Sequence, residues 1–175
     1  MEKYVLCWDR VAILTTILCI LILCGVFFLA IKYHGWVRWF LWLIGILAFV
    51  PPLFLFPRYM TKDADRILIH FIGHKKEIRL SDYESGSIKK DCMRNLVRTC
   101  ASDGYFGYWG KWKDSLGKKY TSYVMDRSKN IYILTPKNNK EDLIMINIPD
   151  DWMKSIASII AKTKCTISKN EMYNF

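Results

Sequence analysis

Two long uncharged stretches constrain this chain more than any other feature: residues 11–31 (21 residues) and 39–56 (18 residues) contain no Asp, Glu, Lys or Arg. At 1.5 Å per helical residue they reach about 31 Å and about 27 Å, against a hydrocarbon core of ~30 Å. Backbone groups in lipid must bond within their own segment, so each stretch is predicted to be a transmembrane helix. The short link at 32–38 makes the pair a tight antiparallel hairpin. Pro51 and Pro52 remove two donors and predict a kink or early stop in the second helix. Trp8, Tyr33, Trp36, Trp39 and Tyr59 flank the two runs, where amphipathic rings favour the membrane interface.

Composition makes sense only when the chain is divided. Overall it is 52% hydrophobic, 15% aromatic and 24% charged, with a net charge of +10. Residues 1–58 hold five of the basic and two of the acidic residues, and 59–175 hold the other 21 and 14. The first part is lipid-like; the rest reads as a basic soluble domain over 59–166 with a frayed tail at 167–175. Lys3, Arg10, Arg58, Lys62 and Arg66 lie beyond the outer ends of the runs, and Lys32 and Arg38 lie in the link. The basic excess predicts both termini in the cytoplasm. A cleaved leader is the competing reading. The first run is long for a leader and no A-x-A site follows it, so it is expected to stay as an anchor. The six cysteines form no CxxC pair, which gives neither a disulfide framework nor a zinc site and suits a reducing compartment.

Beyond Tyr59 short strands and turns take over. Strands are predicted at 66–72, 75–80, 87–90, 117–126, 130–135 and 142–148, from alternation and branched or aromatic content. Gly73 and His74 make one turn, and residues 137–140 another. Pro149, Asp150 and Asp151 open a helix whose acidic first turn faces the positive end of its dipole. Trp152, Ile156, Ile159, Ile160 and Thr163 share one face at helical spacing, and this helix is expected to plug an open end of the sheet.

Gly104, Tyr105, Phe106, Gly107, Tyr108, Trp109 and Gly110 form a glycine-aromatic motif of the form GxFGYxG, behind a segment that starts at Arg98. Residues 120–127 and the run Ile148, Pro149, Asp150, Asp151 add to it. Together, residues 98–162 resemble the bacterial pleckstrin-homology-like domain family of membrane-anchored proteins. Ser102 and Asp103 depart from that pattern, where the family usually carries a second glycine pair. The resemblance implies a membrane-anchored α+β chain: a two-helix hairpin, then a roughly seven-stranded antiparallel barrel capped by one helix, at the bacterial plasma membrane. It implies no particular activity.

The candidate contact residues are Tyr105, Phe106, Tyr108, Trp109, Lys111, Trp112 and Lys113. One reading sets the rings at the lipid interface with the lysines against anionic headgroups. The other lets alternate rings fill the barrel mouth while the glycines allow the turn. The basic balance of the domain suits an anionic membrane surface or a merely solvated face; no recognition motif points to nucleic acid. His70 and His74 sit four apart on a strand and its turn, about 13 Å apart, and do not make a metal pair. No phosphate loop, dinucleotide fingerprint, GxSxG or paired carboxylate occurs, so neither an enzyme nor a cofactor is expected. The spans carry no ionisable residue for an ion path. The expectation is a non-enzymatic interaction or scaffold module that presents the domain to a membrane protein or to its own kind. The alternative is an anionic-lipid sensor acting through residues 104–113.

Overall fold

The computed structural model describes residues 2–90, 92–138 and 140–172, with side chains through residue 161. Helix α1 spans Arg10–Lys32 and α2 spans Trp36–Leu55. By length and composition both are apolar enough to cross a membrane. Asp9 starts α1: its carboxylate accepts the Ala12 amide at 2.7 Å, satisfying one orphan donor of the first turn. The helices run past the uncharged runs at the link, leaving Tyr33, His34 and Gly35 as the turn, with Gly35 at φ +71°. They pack closely where Phe27 meets α2. A Cβ on Gly45 would stand 2.6 Å from the Phe27 ring, and Trp42 lies 4.9 Å from it, centroid to centroid. Elsewhere the helices present exposed Leu, Ile, Phe and Trp side chains around their circumference. No early stop occurs at Pro51 and Pro52: α2 continues through both to Leu55. The prolines cost the helix the amide bonds to the carbonyls at positions 47 and 48, and the neighbouring turns hold.

Among the described residues, ten strands form two sheets. The first sheet orders β1 (Glu2–Val5), β2 (Tyr59–Lys62), β3 (Arg66–His70) and β4 (Lys75–Arg79), all antiparallel. β1 precedes α1 and β2 follows α2, with Glu2 opposite Lys62 and Val5 opposite Tyr59. The residues before the hairpin therefore belong to the same sheet as those after it. The second sheet contains β5 (Tyr83–Lys89), β6 (Val97–Ala101), β7 (Tyr108–Lys113), β8 (Lys119–Val124), β9 (Ile131–Pro136) and β10 (Leu143–Ile146), in the order β5-β9-β10-β8-β7-β6. β10 pairs with β8 in parallel. The α+β arrangement of strands and a C-terminal helix is as expected, but the barrel that the resemblance implied is not closed: the strands form two open sheets, one of them mixed. The reason lies after β8: the chain crosses over β10's position before starting β9, and the β9–β10 hairpin folds back into the gap.

Asn147 secures that crossover. Its Oδ1 accepts the amides of Met125 (2.9 Å) and Asp126 (3.0 Å), and its Nδ2 donates to the carbonyls of Asp126 (3.1 Å) and Asn130 (3.2 Å). One buried amide side chain supplies what a ladder would otherwise supply.

The central strands β8, β9 and β10 of the second sheet are buried on both faces. Tyr123, Tyr132, Leu134, Ile144 and Ile146 face the first sheet's Met60, Ile67, Ile69 and Ile78. Val124, Ile131, Ile133 and Met145 face the other way, with Tyr108, Trp112, Met93 and Ala12 of α1. Helix α3 (Asp150–Met172) lays Trp152, Met153, Ile156 and Ile160 on the first of these cores. Its backbone continues through most of the stretch expected to fray. The side chain of Thr163 and residues 173–175 lie outside the described residues.

Candidate functional site

The glycine-aromatic segment divides into a tight turn and a strand. Gly104 and Gly107 exchange backbone hydrogen bonds of 3.0 and 3.3 Å. Between them Phe106 takes φ +56°, the left-handed region, which a phenylalanine adopts only when its surroundings over-determine it. They do here. Thr16 of α1 accepts the Phe106 amide at 3.0 Å and donates to the Gly104 carbonyl at 3.3 Å. The Phe106 ring stacks on Phe56 (5.2 Å) and meets Trp8 (5.7 Å) and Phe49 (6.4 Å), at the root of the hairpin.

Next to it Tyr108 donates its hydroxyl to Asp9, 3.1 Å away, and carries the Arg127 guanidinium 3.9 Å above its ring. Asp9 also accepts the Arg127 amide at 3.1 Å, and Arg127 pairs with Asp103. Burial, and then the Asp9 charge, push the Tyr108 hydroxyl well above the usual tyrosine range, so it remains a donor at neutral pH. The turn, the crossover between β8 and β9, and the first turn of α1 are thus fastened together at one carboxylate.

From Tyr108 onward the chain is β7, and side chains alternate between faces. Tyr108 and Trp112 are 1% and 2% exposed, inside the core that includes Ala12. Gly110 shares that side; its φ is +111° and an added Cβ would stand 2.4 Å from the Cys100 carbonyl oxygen, so β6 approaches closer than any side chain allows. Trp109 and Lys111 face the opposite way, into a cleft of about 1040 Å³ between β4 and the β7-β8-β10 surface. Lys113, also exposed, pairs in register with Lys119. Tyr105 is half-buried, with its ring 4.6 Å from Phe106. Of the seven residues named from the sequence, Phe106, Tyr108 and Trp112 are thus occupied by protein contacts, and Trp109 and Lys111 share a cavity.

The cleft has an apolar floor from Trp109, Tyr123, Ile78 and Ile144, and its lining reaches Leu55 at the end of α2. Lys75, Lys76, Arg79 and Lys111 are matched by Glu77, Asp82, Glu141 and Asp142. Lys76 lies 5.3 Å over the Tyr123 ring, and Lys111 reaches Asp142 at 3.9 Å. Burial, with help from Glu141 and Asp82, raises the Tyr83 hydroxyl to about 12, which leaves it protonated and un-nucleophilic at pH 7. Among the described residues no group of three or more His, Cys, Asp or Glu is placed to hold a metal. His70 bonds Thr61 (2.9 Å), while His74 stacks on Phe71 (4.4 Å) at the cleft wall. The cleft offers apolar contact and mixed charge.

Asp9, Thr16, Arg127 and Asn147 were not candidates from the sequence. Asp9 carried a readable signal, an acidic residue just before an apolar helical run. Thr16 carried none, since one hydroxyl in a hydrophobic span is common. No protein-family model, curated protein or solved structure matches this chain.

Proposed function

We propose that this protein is a membrane-anchored interaction module that holds a partner protein segment in the cleft between its two sheets. The observation that carries the reading is the cleft itself: apolar floor, four basic and four acidic side chains, and a mouth that reaches the end of α2. Balanced charge does not make an anion trap; it fits a protein segment with apolar anchors and polar flanks. In this reading the hairpin spans a bacterial plasma membrane twice, with both chain ends cytoplasmic. The 98–162 segment is of the pleckstrin-homology-like kind, and the protein has no catalytic role. Tethering raises the effective concentration of membrane partners, so modest intrinsic affinity suffices. The test is a photo-crosslinking amino acid in place of Lys111 in the full chain in membranes, with a second at exposed Leu116 as reference. A discrete adduct from position 111 that is lost with Trp109→Ala supports the reading. Equal adducts from both positions, or none, overturn it.

A second reading rests on Tyr105. Its hydroxyl is pushed up by burial and by the neighbouring Cys19 thiol, which lies nine residues beyond Arg10, about 14 Å along α1. In this reading the first turns of α1 lie at the bilayer surface, and the turn at 104–107, which bonds Thr16, senses anionic lipid there. Nanodiscs with and without phosphatidylglycerol separate the two: lipid-dependent fluorescence of the full chain that disappears on Tyr105→Ala favours the sensor.

A further inference from the structure

The opposite side of the second sheet carries a separate feature. β5 is its outermost strand, paired only with β9, and Glu84 to Lys89 are all exposed. A seven-residue strand with an unpaired outer row of N–H and C=O groups is a template for a further strand, and proteins usually cover or charge such an edge. Here a groove of about 550 Å³ runs beside it, between β5 and α3, with Ile88, Met153 and Ala157 on its walls.

The floor of the groove is unusual. Tyr132 is 2% exposed, lines the groove, and its hydroxyl is buried with no hydrogen-bond partner among the described residues. It reaches over Gly86: a Cβ there would lie 2.1 Å from the hydroxyl oxygen. A buried unpaired hydroxyl is costly, and one at the side of a bare strand edge is satisfied by an acceptor arriving with a new strand. At the Asn130 end, Lys154 in the groove and Lys90 in the adjoining hollow outnumber Asp150.

We propose that β5 and α3 form a docking groove for an extended, acid-ended segment of a partner protein, which adds to β5 as a seventh, antiparallel strand. Main-chain bonds to β5 give the register, alternate side chains enter the groove beside Met153 and Ala157, and the Tyr132 hydroxyl donates to the incoming strand. Antiparallel pairing places the segment's N-terminal end at Lys90 and Lys154, where carboxylates belong. The site is distinct from the inter-sheet cleft and does not depend on it.

The test uses the full chain in detergent or nanodiscs and a labelled peptide of alternating valine and threonine that starts with two glutamates. Saturable binding with at least tenfold slower hydrogen exchange of the β5 amides is expected. Lys154→Glu and Ile88→Glu, both at exposed positions, should each weaken binding about tenfold with unfolding temperatures unchanged, and Tyr132→Phe should weaken it several-fold with an unfolding temperature that is raised. A peptide with alternate amides N-methylated should not bind. Binding that ignores these changes, or protection that falls on β4 and the cleft, overturns the proposal. Protection of β5 that rises with protein concentration without peptide assigns the edge to a second copy, and also overturns it.

Discussion

Asp9 and Tyr108, 99 positions apart, share a 3.1 Å hydrogen bond that joins the first turn of the apolar hairpin to the glycine-aromatic strand. The same carboxylate caps α1 and holds the Arg127 amide. Replacing Asp9 by alanine removes a helix cap, worth about 1 kcal/mol, and leaves the Tyr108 hydroxyl and a backbone amide unpaired at about 1 kcal/mol or more each. Asp9→Ala should cost about 2–4 kcal/mol in denaturant unfolding followed by tryptophan fluorescence. Asp9→Asn, which keeps the acceptor oxygen, should lose less than half of that.

Thr16 bonds both sides of the Phe106 turn from within α1. Thr16→Val keeps shape and removes both bonds, and the turn must then hold its left-handed Phe106 by ring packing alone. Hydrogen exchange at the amides of residues 104–107 should accelerate about tenfold, equivalent to ~1.4 kcal/mol of local stability, while β9 and β10 stay protected. Unchanged exchange at the Phe106 amide would show that the turn does not lean on α1.

Asn147 makes four hydrogen bonds across the crossover that sends β9 past β10. Asn147→Ala strands buried amides and carbonyls together, at a cost of about 3 kcal/mol or more by thermal or chemical unfolding. Asn147→Asp keeps the acceptor side only and should fall between. A loss below about 1 kcal/mol would mean that the crossover is held elsewhere.

His70 is 6% exposed, stacked on Tyr59 at 4.2 Å and bonded to Thr61. Burial lowers its pKa below the ordinary histidine value of ~6.5, and the Lys75 and Lys3 charges lower it further. The folded state therefore binds fewer protons than the unfolded one. Its contribution is fully present above the unfolded pKa of ~6.5 and is lost as pH falls through the lower folded value. Unfolding temperature should fall below pH 6.5 more steeply in the natural chain than in His70→Gln, measured in the same detergent. Superimposable pH profiles would assign the acid sensitivity to other groups.

The apolar hairpin, the helix beginning at Asp150 and most strand positions were legible in the amino-acid order, because each rests on a local pattern. Charge-free runs of 21 and 18 residues, period-two alternation and an acidic helix start are short-range signals. The strand content of 83–89 and 108–113 was less legible, since glycines and lysines mask alternation when one face meets a groove. β1 was invisible: four residues ahead of an apolar run become a strand only when β2 returns beside them.

What tertiary structure alone decided is which side of each strand became interior and which pairs of distant residues met. The sequence placed seven aromatic and basic candidates in one stretch. Only folding turned Tyr108 and Trp112 inward and Trp109 and Lys111 into the cleft, because a strand's faces acquire meaning from what packs against them. The parallel β8–β10 pair and the Asn147 crossover follow the same reason. Strand neighbours far apart in the chain are chosen by the burial of both sheet faces at once, and no local window carries that choice.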